Sequence, residues 1–133
     1  MNITFQPDSV VIQRTDILAQ ASSALTHGTE QLEQIILTPY GLRWCNVGQI
    51  QGTFIAWADI GGAEAMPPEV SLVARDGRFL AAWWTGYGPR DGERLASIVN
   101  GFVTRFREVP ARTARLDPRI EFLRMDVARA DGG

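Results

Sequence analysis

The sequence predicts an α+β fold in which antiparallel strands are covered by one C-terminal amphipathic helix. Two observations carry that prediction. Asp76-Gly77 lies between two apolar runs, residues 70–75 and 78–85, and this dipeptide suits the positive φ angles of a tight two-residue hairpin turn. Further on, Leu95, Ile98, Val99, Phe102, Val103 and Phe106 recur at helical spacing over residues 92–107, and such a helix gains its stability by setting its apolar face on another surface.

Each element follows from local pattern. Residues 3–5 and 9–14 read as short strands broken at Pro7-Asp8. Thr15 is a fair helix cap, Ile17, Leu18, Ala21, Ala24 and Leu25 repeat at helical spacing, and Gly28 stands where a C-terminal cap glycine belongs, so a helix is expected over 16–26. Residues 30–38 fit either state: Leu32, Ile35 and Ile36 suit a helix, while the β-branched run entering Pro39 suits a strand from about 33 to 38. A turn at Pro39-Tyr40-Gly41 leads to a strand over 42–47, then a turn, then a strand over 53–60; residues 61–68 read as a loop closed by Pro67-Pro68. On the strand after Asp76-Gly77, alternation sets Phe79, Ala81, Trp83, Thr85 and Tyr87 opposite Leu80, Ala82, Trp84 and Gly86, so the two adjacent tryptophans point in opposite directions.

The loop from Gly86 to Gly92 feeds the main helix, with Asp91 as its expected N-cap. Gly101 costs about 1 kcal/mol in a helix interior, and the expectation is that it lets the backbone lie close to a strand. Asp117-Pro118 opens a second, short helix over 118–129 carrying Ile120, Leu123 and Val127 on one face. That tail offers a surface for its own subunit or, in a homo-oligomer, for a second copy.

At 133 residues the chain fits one domain, 1–133, able to build a core without disulfides or metal. Cys45 is the only cysteine, which fits a reducing compartment. The N-terminus lacks the pattern of a secretory signal and no apolar run reaches bilayer length, so cytoplasmic localisation and no transmembrane segment are expected. All thirteen basic residues are arginine, as a GC-rich genome would produce. Residues 1–74 carry two arginines against seven acids and residues 75–133 carry eleven against eight. Acids are interspersed throughout, which argues against a nucleic-acid-binding arm.

Catalytic patterns are sparse. His27 and Cys45 are each the only residue of their type, and nothing in their spacing makes them a nucleophile pair; His27 suits a helix C-terminus and Cys45 a buried apolar position. Asp59, Glu64 and Glu69 match no metal-binding loop, and no zinc ligand set exists. No catalytic residue, cofactor or metal is therefore assigned. The aromatic residues say more: Trp44, Trp57, Trp83 and Trp84 all fall on predicted strands. Whichever of Trp83 and Trp84 faces outward would, beside Tyr87 and Arg78, have the composition of a protein-binding hot spot. Gly88, Arg90 and Arg94 at the start of the helix form the candidate anion site, although the P-loop spacing is absent.

Leu37-Thr38-Pro39-Tyr40-Gly41-Leu42-Arg43-Trp44, Ile55-Ala56-Trp57-Ala58-Asp59-Ile60 and the Asp76-Gly77 hairpin entering a helix, taken in this order over residues 33–107, resemble the bacterial pleckstrin-homology-like (PH-like) domains. That resemblance implies a barrel of two roughly orthogonal sheets closed by the 92–107 helix, and a binding role for a protein or peptide, or at times a lipid headgroup, without catalysis. The helix at 16–26 and the extension after 107 depart from the family pattern. The reading is thus a non-catalytic protein-interaction module. Its rivals are a neutralising protein, such as an immunity factor or phage inhibitor, that sets an acidic surface against a basic partner; a binder of small anions or phospholipid headgroups at Gly86 to Gly92; and an enzyme with an unrecognised carboxylate site.

Overall fold

The computed structural model describes residues 2–7, 9–13, 19–23, 29–48, 52–66, 69–84 and 89–109. Among these residues nine strands precede one helix: β1 (Asn2–Phe5), β2 (Val10–Gln13), β3 (Gln20–Ser23), β4 (Thr29–Thr38), β5 (Gly41–Asn46), β6 (Thr53–Ala56), β7 (Ile60–Met66), β8 (Glu69–Ala74), β9 (Phe79–Trp84) and α1 (Pro89–Phe106). A single turn of 3-10 helix, Trp57–Asp59, makes the corner between β6 and β7. Every strand pair is antiparallel, so short turns suffice as connections.

Two sheets share β4. Its first residues pair with β3 and its later ones with β2, and a register shift between Leu32 and Gln34 on its β5 side marks the change. One sheet runs β1-β2-β4-β5-β6 and the other β4-β3-β9-β8-β7. Among the described residues β6 and β7 are not paired with each other, so the two sheets make an open roll and not the closed barrel that the resemblance implied.

Period-two burial shows which faces meet: Val70, Leu72 and Ala74 are buried between half-buried Ser71 and Val73. Trp44 from one sheet and Trp83 from the other meet edge to face, ring centroids 5.6 Å apart, an arrangement that aromatic quadrupoles favour. Leu95, Ala96, Val99 and Val103 of α1 are buried in the same core. Leu95 and Val99, both fully buried, contribute about 1.5–3 kcal/mol each as gross transfer energy.

Several expectations are corrected. Residues 20–23, expected in a helix, form β3, because pairing with β9 on one side and β4 on the other outweighs an apolar spacing that local sequence reads as helical. Residues 61–66, expected as loop, continue β7, which pairs along its length with β8. The hairpin at Asp76-Gly77 has a three-residue loop. Gly77 N–H donates to the Ala74 carbonyl (2.9 Å), Ala74 N–H donates to the Arg78 carbonyl (2.8 Å), and only Gly77 has positive φ, +86°. The helix begins at Pro89, so Asp91 lies in its first turn instead of capping it, a placement that favours an acid at the positive end of the dipole. A Cβ added at Gly101 would meet nothing within 4 Å, so close approach to a strand is not what Gly101 serves. Helix 118–129 lies outside the described residues, as do His27, Tyr87 and Gly88.

The outer edge of β7 is closed from the helix. Asn100 accepts the Ala63 N–H at Oδ1 (2.8 Å) and donates from Nδ2 to the Ala63 carbonyl (2.9 Å), so one side-chain amide stands in for a neighbouring strand. Asn100→Ala should lower unfolding free energy by about 1–3 kcal/mol, the worth of two part-buried neutral hydrogen bonds to one backbone unit, read as a reduced urea midpoint at unchanged slope.

Candidate functional site

The apolar positions of α1 divide into two rows. Leu95, Val99 and Val103 face the core, whereas Ile98, Phe102 and Phe106, also at i and i+4 spacing, are only half-buried. This second row, with Gly101 and Arg105, walls one side of an open groove of about 640 Å³. The opposite side comes from the β1–β2 connection (Phe5, Gln6, Pro7, Ser9, Val10) and from Pro39 in the β4–β5 turn.

Each wall is fixed locally. Gln6 and Ser9 exchange backbone hydrogen bonds, and Ser9 Oγ donates to Gln6 Oε1 at 2.7 Å. At the β4–β5 turn, the buried Thr38 hydroxyl donates to the Gly41 carbonyl and accepts the Tyr40 N–H. Trp57 Nε1 donates to the Thr38 carbonyl at 2.5 Å, and the fully buried Trp57 ring packs on Phe102, centroids 5.5 Å apart. Phe102 packs in turn on Phe106 at 5.5 Å, and the Arg105 guanidinium lies 5.0 Å from the centre of the Phe106 ring. An aromatic chain therefore runs from the core to the groove and ends under a cation. Phe5 remains 63% exposed.

The residues expected to form a site are separated. Trp83 is fully buried, and its Nε1 meets no acceptor among the described residues, so it cannot touch a partner. Trp84 is the outward one of the pair, half-buried. A register irregularity between Leu72 and Val73 pairs Phe79 with Val73, on the opposite face from Leu72 and Ala81. Phe79, 45% exposed, thus shares the outer face with Trp84 instead of the core face with Trp83.

Arg78 is exposed and paired with Asp76 (2.7 Å). It borders a second, shallower cleft of about 420 Å³ beside β6, together with Asp59, Arg75 and Asp76. There Arg75 donates to the Arg107 carbonyl, tying the hairpin to the helix C-terminus. Arg90 and Arg94 are exposed on the first turns of α1. Cys45 is buried with Ile36 and Val11 around it. No group of three metal-ligating side chains occurs among the described residues, and no helix among them is long and apolar enough to cross a membrane.

Sequence reasoning did not find the groove. Its signal was the second apolar row on α1, Ile98, Phe102 and Phe106, which packs against the core on one side only. No protein-family model matches the sequence, and no curated protein matches it.

Two predictions follow from these positions. Trp83→Ala should cost about 3–5 kcal/mol, the range for emptying a buried aromatic site, and Trp84→Ala less than half of that, measured by chemical denaturation. The Arg78 backbone N–H and then its guanidinium hold the Asp76 carboxyl below its ordinary value of 3.8. That stabilisation is present above pH 3.8 and lost as pH falls through the lowered value. The stability difference between wild type and Asp76→Asn should therefore be level at neutral pH and shrink only on the acid side.

Proposed function

We propose that this chain is a non-catalytic, PH-like interaction module that takes a segment of a partner protein in the groove between the β1–β2 connection and α1. The groove itself carries the reading. It is concave, lined mainly by aromatic and aliphatic side chains with a few polar groups, and its walls are held by hydrogen bonds and ring stacking before any partner arrives, which lowers the ordering cost of binding. The PH-like part is supported by the order of elements. The β4-β5-β6 meander, the corner at Trp57–Asp59, the β7-β8-β9 meander and one closing helix follow in sequence, and β3 bridges β4 and β9.

A photo-crosslinking residue placed at position 5, in the groove, and another at Phe79, on the outer face of the β9 sheet, test the reading in cells of the native host. Position 5 should yield a covalent adduct with a second polypeptide while position 79 yields none. Adducts from position 79 alone would move the binding surface to the Trp84 face, and adducts from neither would sink the module reading.

A further inference from the structure

The groove has a charge asymmetry that specifies its occupant. Arg105 is the only ionisable side chain that lines it among the described residues. Among the described residues no carboxylate pairs with Arg105, and its guanidinium lies over the Phe106 ring. A guanidinium stacked on an aromatic face keeps its edge of N–H donors available. Gln6 adds to the same sense, because its Oε1 already accepts the Ser9 hydroxyl and its amide N–H groups are left to donate. The groove thus offers apolar walls and unspent donors, with one positive charge near the C-terminal end of α1.

Gly101 is the second observation. In an exposed helix interior glycine costs about 1 kcal/mol against alanine. Among the described residues nothing lies within 4 Å of the missing Cβ, so no packing there explains that cost. What the absent side chain does leave is open space on the groove wall, where the backbone of an incoming chain can approach closely. From Ser97 to Phe106 that wall is about 13 Å long at 1.5 Å per residue, enough for about four residues of extended peptide at about 3.3 Å each.

We propose that the groove binds a short segment of a partner protein in which apolar anchor side chains flank a carboxylate, the carboxylate pairing with Arg105 and the peptide backbone passing over Gly101. This rests on the reading of the chain as a protein-interaction module and names the chemistry of its partner.

The test uses the full chain. Random dodecapeptides displayed on phage are selected against it, and the enriched peptides are synthesised, labelled and titrated by fluorescence anisotropy. They should share an Asp, a Glu or a free C-terminal carboxylate beside large apolar residues. Arg105→Gln should weaken them about tenfold, the scale of one charge-assisted pair. Replacing the peptide carboxylate by its amide should weaken binding to wild type equally and make little further difference to Arg105→Gln. Gly101→Leu should abolish binding while the thermal midpoint stays at or above that of wild type, since leucine favours the helix and meets no clash. Peptides that bind Arg105→Gln and Gly101→Leu as tightly as wild type would overturn the groove proposal while leaving an interaction module that works through another face. Failure to enrich any peptide, with or without binding of dodecanoate as a free carboxylate amphiphile, would overturn both.

Discussion

The structure depends on one burial: the row Leu95, Val99 and Val103 pressed into the core that both sheets enclose. A roll of short antiparallel strands leaves its inner face uncovered where the sheets part, and a helix is the economical cover because one row of side chains every fourth residue matches the spacing of strand side chains beneath it. Once that row is seated, the other faces of α1 are determined. Asn100 is brought to the edge of β7, where it occupies the Ala63 N–H and carbonyl, and an edge so closed does not recruit a strand from another chain at that point. The row Ile98, Phe102 and Phe106, about 60° of helix away, is left over the β1–β2 connection and becomes the groove wall.

The corner at Trp57 couples these consequences. Its ring is fully buried, its Nε1 holds the Thr38 carbonyl, and its face carries Phe102. One residue thus ties the β4–β5 turn to the helix, linking two of the three segments that line the groove. The buried Trp83 contrasts with it. Trp83 contributes area and an edge-to-face contact with Trp44, but no hydrogen bond from its indole among the described residues. The two tryptophans look equivalent in sequence; one locks geometry and the other fills volume.

Periodicity made much of the fold legible. The strands at Asn2–Phe5, Val10–Gln13, Gly41–Asn46, Glu69–Ala74 and Phe79–Trp84, and the apolar-faced helix α1, are set by short-range pattern and lie within a few residues of where the sequence places them. The failures share a cause. β3 is Gln-Ala-Ser-Ser, with no strand propensity of its own, and exists because β4 and β9 offer hydrogen bonds on both sides. β7 begins with Ile-Gly-Gly, which reads as a loop until β8 pairs with it. Alternation alone puts Phe79 on the core face, whereas the register irregularity that turns it outward arises from the pairing of β8 with β9 and is invisible in either strand alone. Where partners distant in the chain decide the state, a single sequence does not show it.

The same reasoning accounts for the proposed binding groove. Its residues come from three segments, Phe5 to Val10, Pro39, and Ser97 to Phe106, and no local motif joins them, whereas the adjacent tryptophans at 83 and 84 drew attention because they are adjacent. Two local oddities did point to the groove. The apolar stripe on α1 has a second row that the core covers only in part, and Gly101 lies beside it where helix propensity favours any other common residue but proline. A half-buried apolar row leaves part of its area in water, and a glycine in a helix interior is destabilising on its own account. Their coincidence on one wall, ending at an arginine with no carboxylate beside it among the described residues, is the physical ground for the proposed contact with a partner chain.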